Sequence, residues 1–592
     1  MSARLMIVAS LFVCSAPLAG IASDWKQFRG TNNSGVAEDV LPFAWGQDSH
    51  VTWKVKIPGV AWSSPIVSGD KVFVTTAVTE NQKKPAADFA GGGPGQGGPP
   101  QPGQIMPAFL QDRFNMTPEQ KEQLDELQKD VDGKLAKLLS DEQKTQLKDS
   151  TQGDRGGLGG PGGFGRRPQP GQIISPPLQD TLNLTAEQKQ QLDDLQKDVD
   201  NRLAKLLNDE QNKQLKEMRD MFGRGPGGPG GGRGGRGGFG RGTPPDVVYR
   251  WEVYCLDRAT GKIVWKELAL EGKPRVPIQQ SNTYATETPV TDGERVYAYF
   301  GMHGLFCYDF AGKLVWKKDL GSFPTQMGHG PASSPVLDGE RLFLQIDNEE
   351  KSFLVALNTK TGDELWRVDR DERTNYSSPI VWKNKQRSEL VTSGGQKARS
   401  YDPATGELLW ELSFGGGTCH ATPVGDSELL YVGCSAGFGG GGGGGGRGRG
   451  ADGPPRGGNG GSSSGDSGGS GSGGLYAVRA GATGDITLKA GETASEGVAW
   501  SQPRVAPEEA SPLAYQGYVY ILRKNGGIVT CLDAKTGKQI YQKRIPDARS
   551  FWASPWAAGG KIFCLDDGGT THLLQAGPEF QVLGKNSLEE TS

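Results

Sequence analysis

Long apolar runs are nearly missing from this 592-residue chain. Beyond the N-terminus none approaches the length of about 18 residues that a membrane-crossing helix needs, so the sequence excludes a helical membrane span. Cysteine is scarce, 7 in all, and histidine scarcer at 5. There is no C-x-x-C, C-x-x-C-H, H-E-x-x-H or P-loop, which removes the zinc, haem-attachment and nucleotide-binding classes those spacings mark. A dominant charge is also absent, since 65 Lys and Arg face 68 Asp and Glu for a net charge of -3. The tract "FGRGPGGPGGGRGGRGGFGRG", residues 222–242, therefore has no basic domain behind it. Its Arg224, Arg233, Arg236 and Arg241 would meet an anionic polymer only weakly and at low salt, and no specific nucleic-acid partner is expected.

What is present begins with "MSARLMIVASLFVCSAPLAGIAS", where Arg4 precedes an apolar run from Leu5 to Val13 and small residues lead to Asp24. Residues 1–23 have the build of a secretory signal peptide, cleaved after Ala22 or Ser23. Phe12-Val13 ahead of Cys14 lacks the small residues of a lipoprotein site. The expectation is a chain exported to the periplasm or beyond. Glycine, 91 in number, gathers in a few tracts. With those set aside, roughly 380 residues rich in Val, Tyr, Trp and Phe are ample for one large all-β unit.

Internal repeats specify its architecture. A Ser/Thr-Pro step recurs at Pro65, Pro289, Pro335, Pro379, Pro423, Pro512 and Pro555. Each leads into a strand, a Gly/Asp turn and a second strand, as in "SGDKVFVTT" and "LDGERLFLQI". A second signature follows: "CLDRATGKIVW" from 255, "CYDFAGKLVW" from 307, "ALNTKTGDELW" from 356, "SYDPATGELLW" from 400 and "CLDAKTGKQIY" from 531. Asp-x-x-Thr-Gly makes a tight turn, and an aromatic follows at fixed register: Trp265, Trp316, Trp366, Trp410 and Tyr541. These aromatics are expected to dock on the neighbouring repeat. Four short strands per repeat of about 44 residues are the sequence form of an all-β β-propeller with four-stranded blades.

The repeat resembles that of the quinoprotein-type propellers, with its A-x-D-x-x-T-G-K-x-x-W docking element, over residues 24–78 and 248–592. "DWKQFRGTNNSGV", "KSFLVAL", "RSYDPATGELLWEL" and "AWSQPR" are similar to an exported bacterial group of PQQ-like repeat proteins. The repeat is shared by the outer-membrane assembly propeller lipoprotein and by quinoprotein alcohol dehydrogenases. The resemblance implies a propeller; it does not by itself imply a bound quinone. The dehydrogenases carry adjacent cysteines and a calcium-bound PQQ with a catalytic aspartate, and no Cys-Cys pair or matching metal-ligand set occurs here.

Two long gaps between successive Ser/Thr-Pro steps mark insertions at 79–247 and 437–474, with blades at 248–436 and 475–592. Loops absorb such lengths because closure costs only about 0.6 kcal/mol per doubling. The first holds a duplication: residues 101–148 and 169–216 agree at 33 of 48 positions. Thr117 with Gln120, and Thr185 with Gln188, have capping-box spacing, and Pro118 suits the first helical position. Leu124, Leu127, Val131, Leu135 and Leu138 form one apolar stripe. Helices over about 115–149 and 183–221 are expected to pair with each other or with a partner.

Seven recognisable blades start from the seven Ser/Thr-Pro steps. "VTWKVKI", residues 51–57, reads as an outer strand ahead of the first, and the chain stops soon after "FQVL". Both features lead to the expectation of an eight-bladed design with a truncated C-terminus and residues 51–57 short of partners.

Three positions before each recurring Pro stand Trp62, Thr286, Ala332, Tyr376, His420, Glu509 and Trp552. In a propeller these ring the axial mouth. Trp62, Tyr376, His420, Glu509 and Trp552, with His329 of "MGHGPASSP", are the candidate ligand site; the alternative is packing between blades. Cys255, Cys307 and Cys531 share one repeat position with Ala356, Ser400 and Ala477, a small buried slot. Cys419 and Cys434 fall opposite each other if Val424 faces Leu429, which would allow a disulfide in an exported chain. Asp347-Asn348-Glu349-Glu350 reads as a solvated turn rather than a calcium site. Ser467 of "GDSGG" lacks the strand and helix of a nucleophile elbow. No catalytic residue is assigned. The favoured function is a non-catalytic exported scaffold that uses the mouth and the inserted helices to bind a protein or extracellular polymer. The alternative is a dehydrogenase oxidising an alcohol or sugar with PQQ and calcium.

Overall fold

The computed structural model describes residues 23–80, 103–152, 171–219, 244–435 and 473–588, apart from short gaps within those ranges. The leader, the Arg/Gly tract at 222–242 and Ser467 lie outside the described residues. The chain divides into two compact units, one of residues 1–90 and 238–592, the other of residues 91–237.

In the first unit, proline has no amide hydrogen to give a ladder, so each Ser/Thr-Pro step ends where a short strand begins. These inner strands are Ile66–Ser68, Val290–Thr291, Val336–Asp338, Ile380–Lys383, Val424–Gly425, Leu513–Tyr515 and Trp556–Ala558. Each opens a sheet of four antiparallel strands in chain order, giving seven blades. Blade 1 continues through Lys71–Thr79, Tyr249–Asp257 and Ile263–Gly272, and blade 7 ends with Val582–Ser587. Both insertions leave between the second and third strands, of blade 1 and blade 5 respectively.

The residue before each proline explains the step. Its amide donates to the hydroxyl of its counterpart one blade on: Ser64 to Thr288 (3.0 Å), Thr288 to Ser334 (3.0 Å), Ser334 to Ser378 (2.9 Å), Ser378 to Thr422 (3.2 Å), Thr422 to Ser511 (3.0 Å) and Ser511 to Ser554 (2.9 Å). A circumferential chain of hydroxyls thus satisfies buried amides that would otherwise cost about 1–3 kcal/mol each. Ser or Thr is needed because each position must accept with its side chain and donate with its backbone.

At the opposite end of the blades, the turn after the third strand seats an aromatic from the previous blade. Trp265 Nε1 donates to Phe310 O (2.9 Å), Trp316 to Thr359 O (2.9 Å), Trp366 to Pro403 O (3.2 Å) and Trp500 to Ala534 O (3.0 Å). The turn glycine has a left-handed φ and leaves the seat flat; a Cβ on Gly362 would stand 2.7 Å from Trp316. The small slot has a matching cause. Cys255 pairs across the sheet with Trp265, Cys307 with Trp316, Ala356 with Trp366, Ser400 with Trp410, Ala477 with Trp500 and Cys531 with Tyr541. Trp410 departs from the pattern, because its indole turns inward to Glu389 (2.7 Å) while Trp382 donates to Asp426 O of blade 5. Tyr541 packs on Phe580 of blade 7 at 5.6 Å.

The described residues form the seven recognisable blades, blade 7 with its own fourth strand, and no eighth sheet is found among them. In blade 7 the size order across the sheet is inverted, Leu573 facing Gly584. Blade 7 has no aromatic at that position, and the seat on blade 1 is filled by Trp53, which donates to Arg258 O (2.9 Å) and lies against Gly261. Residues 51–57 join no ladder but are not partnerless, since Val55 and Ile57 pack on Val72, Tyr254 and Leu256. The N-terminal segment completes the junction. Trp25 bridges Val67 of blade 1, and Val36–Ala37 runs parallel to Ala557 and Ala558 of blade 7.

The second unit is helical: α1 (Pro118–Leu138), α2 (Asp141–Gln152), α3 (Pro176–Thr181) and α4 (Ala186–Leu206). Thr117 and Thr185 form full capping boxes with Gln120 and Gln188. The duplication folds on itself with reciprocal contacts. Gly103 N donates to Ile173 O and Gly171 N to Ile105 O. Gln120 reaches Leu206 O and Gln188 reaches Leu138 O, both at 2.8 Å. Lys134 and Arg202, equivalent positions, pair with Asp198 and Asp130. Leu124, Leu127, Val131 and Leu135 share one core with Leu192, Leu195, Val199 and Leu203. Of the two expected pairings, with each other or with a partner, the structure shows the first.

Candidate functional site

The residues three before each proline sit two positions outside the hydroxyl chain, on the rim of the propeller. Five of the six candidates come together in an arc. His329 stacks on Tyr376 (centroids 5.9 Å, 17° between planes), and Tyr376 stacks on His420 (4.9 Å, 16°). His420 Nδ1 lies 3.2 Å from Glu509, Glu509 accepts from Lys524 at 2.8 Å, and the Lys524 ammonium rests 4.0 Å over the Trp552 ring. The arc thus crosses blades 2 to 7. Blade-entry backbone holds it: Tyr376 N donates to Cys419 O, and Phe551 N to Lys524 O.

Trp62 stands apart from the stack. It is 56% exposed, and its indole donates to Ser281 O at 2.9 Å. The neighbouring Asn282 donates to His329 O (2.7 Å), so one short loop separates the exposed indole from the arc. Lys524 was not legible as a site residue because it lies in a hairpin of blade 6 rather than at a Ser/Thr-Pro step. Its only signal was a place between two strands whose turn ends at the same rim.

Burial pushes the imidazoles of His329 and His420 below their usual value, and for His420 it outweighs the pull of Glu509. Burial opposes the Glu509 carboxylate too, but His420 and Lys524 together hold it below the ordinary range. At neutral pH the arc therefore has neutral imidazoles and one internally compensated ion pair. Burial raises the Tyr376 phenol, which stays protonated. Tyr376 Oη and His329 Nε2 are buried and have no hydrogen-bond partner among the described residues. A row of stacked rings with two unspent polar atoms suits a planar, uncharged group.

A cavity of about 410 Å³ adjoins the arc, lined by Glu372, Arg373, Asn375, Gln396 and Lys397. Asn375 links the two, accepting from Cys419 N at 2.8 Å. Cys419 and Cys434 are present as buried free thiols. The expected register is off by two, Val424 facing Tyr431, because the Asp426 side chain caps the turn through the amides of Glu428 and Leu429. Cys419 Sγ still comes within 3.7 Å of Gly433 O. A hydrogen bond with Cys434, and then burial, raise its thiol well above the usual range.

The solvated-turn expectation for 347–350 is corrected in part. Asp347 is buried against Arg370, which also donates to Thr392 and Tyr401. Asn348 is buried as well, its side chain closing the turn through the amides of Glu350 and Lys351. PQQ with calcium does not fit the rim. A calcium-bound tricarboxylate quinone asks for several oxygen ligands and spare cations. Here Glu509 is spent on Lys524 and His420, and Glu349 accepts from Thr374.

Residues 250–432 match the family model described as outer membrane protein assembly factor BamB. No curated protein matches the chain. Among solved structures, BamB from Moraxella catarrhalis is similar at 12% identity and a TM-score of 0.37, covering 57% of this chain and 83% of that one. The computationally designed Ika8 protein is similar at 12% identity and a TM-score of 0.34, covering 56% and 81%. The chain is thus a β-propeller of seven four-stranded sheets among the described residues, with PQQ-like repeats matched over residues 250–432.

Proposed function

We propose that this propeller is an exported, non-catalytic binding protein. Its rim takes a ring-bearing segment, an aromatic side chain or a sugar, of a protein or extracellular polymer partner. The observation that carries this is the stacked arc of His329, Tyr376 and His420 with two unspent buried polar atoms. Export rests on the leader-like N-terminus. Among the described residues no helix is long and apolar enough to cross a membrane. The inserted helices serve this reading as a self-paired appendage, because each apolar stripe is consumed by the other.

The test is tryptophan fluorescence of the purified chain titrated with aromatic peptides and with oligosaccharides, using Trp62 and Trp552 as reporters. Saturable quenching that the Tyr376→Ala, His420→Ala pair abolishes supports the proposal. Binding unchanged by that pair contradicts it.

A further inference from the structure

The segment "DWKQFRGTNNSGV" passes beneath the ring from blade to blade. Trp25 bridges Val67 of blade 1, and Lys26 O accepts from Thr291 N of blade 2. Gly35 O accepts from Ala557 N of blade 7. Midway along it, Arg29 sends its side chain into the interior, where the residue is 5% exposed. All of its hydrogen bonds go to neutral carbonyls: Nε to Asn33 O at 3.3 Å, Nη2 to Ser34 O at 3.4 Å and to Pro512 O at 2.8 Å. Nη1 is buried and has no partner among the described residues, nor does any described carboxylate pair with Arg29. A buried guanidinium without a counter-charge is costly, and buried charges are paired as a rule.

Two further observations point to what is bound. Arg29 (φ 61°) is left-handed, a conformation arginine rarely adopts and that persists where the surroundings enforce it, and Asn32 and Asn33 (both φ 54°) continue the turn in the same region, which asparagine tolerates. Gly35 leaves room for the guanidinium, since a Cβ there would stand 2.8 Å from Nη2. The strain thus serves to aim Arg29 inward. Its target, Pro512 O, directly follows Ser511 of the hydroxyl chain. Six hydroxyls of that chain, from Thr288 to Ser554, accept an amide hydrogen, and no described acceptor takes their own hydrogens. The guanidinium is thus anchored one residue past Ser511, at a chain of hydroxyls with spare O–H donors, an arrangement that favours negative charge.

We infer that Arg29 and the Ser/Thr ring form a binding site for a small inorganic anion, halide-sized, on the propeller axis. One free guanidinium nitrogen together with single hydroxyls suits a monodentate spherical ion better than a bidentate oxyanion. The site is independent of the rim reading, since Arg29 and the hydroxyl chain share no residue with the arc.

The probe is bromide. In crystals grown with bromide, an anomalous peak within hydrogen-bond reach of Arg29 Nη1 is expected. In solution at constant ionic strength, replacing gluconate by bromide should raise the Tm of the full chain saturably, by roughly 3–5 °C at about 100-fold over Kd. Arg29→Gln should lose that increment. No anomalous peak, together with a bromide response equal in native and R29Q chains, overturns the proposal. Should R29Q fail to fold, the native crystal alone decides.

Discussion

The indole of Trp53 rests on Gly261, the seat that every other docking tryptophan finds in the next blade, although Trp53 precedes the first blade in sequence. Blade 7 carries Gly584 where an aromatic would stand, and the seat on blade 1 is filled instead from the N-terminal side. Trp53→Ala should lower stability by about 2 kcal/mol, less than a fully buried tryptophan because the ring is only half-buried. Gly261→Ala should cost as much or more, adding a left-handed φ to the clash. Urea unfolding midpoints check both. A loss under about 0.5 kcal/mol for each would show that this seat contributes little to the fold.

The hydroxyl chain makes a sharper demand. Ser334→Ala strips the acceptor from the buried Thr288 amide and should cost about 1–3 kcal/mol, while Ser334→Thr should be close to neutral. The same unfolding measurement separates them. Equal losses for Ala and Thr would point to packing instead.

Buried titratable groups set opposite pH trends. Glu287 is buried, and burial raises its carboxyl to about 8, so the folded state holds a proton that the unfolded state releases. Its contribution is full below about 4.5 and is lost as pH rises towards 8. His303, lowered to about 4 by burial first, works the other way: stability is full above about 6.5 and falls as pH drops towards 4. Glu287→Gln should flatten the decline between pH 5 and 8 and leave the acid limb in place. A native profile already flat in that window would contradict the assignment.

The helical unit should stand alone. Residues 91–237, expressed separately, are expected to unfold cooperatively, and Val131→Asp should abolish the transition by placing a charge in the shared core. A single copy, residues 101–152, should self-associate, since its reciprocal partner is nearly its own sequence. Sedimentation showing a helical monomer would contradict the pairing.

Much of the propeller was legible, because turn chemistry and periodicity are local. Asp257, Thr260 and Gly261 announce a turn whatever surrounds them. What the Ser/Thr-Pro step does was not legible, since its hydrogen bonds join residues about 44 positions or more apart. Residues 51–57 look like a strand by alternation, yet they join no ladder, and their contacts with Tyr254, Leu256 and Arg258 lie about 200 positions away in sequence. At the rim, Tyr376, His420 and Glu509 were found through their shared repeat position. Lys524, which ties Glu509 to Trp552, sits at a different one and becomes visible only in three dimensions.

In the proposed function the rim, and not the inserted helices, holds the partner. Photo-crosslinking from position 62 in the native envelope, followed by mass spectrometry, tests it most directly. The same species should be captured by the full chain and by a chain lacking residues 91–237, and be lost on Tyr376→Ala with His420→Ala. Capture that survives the rim substitutions but disappears with the helical unit would contradict the account.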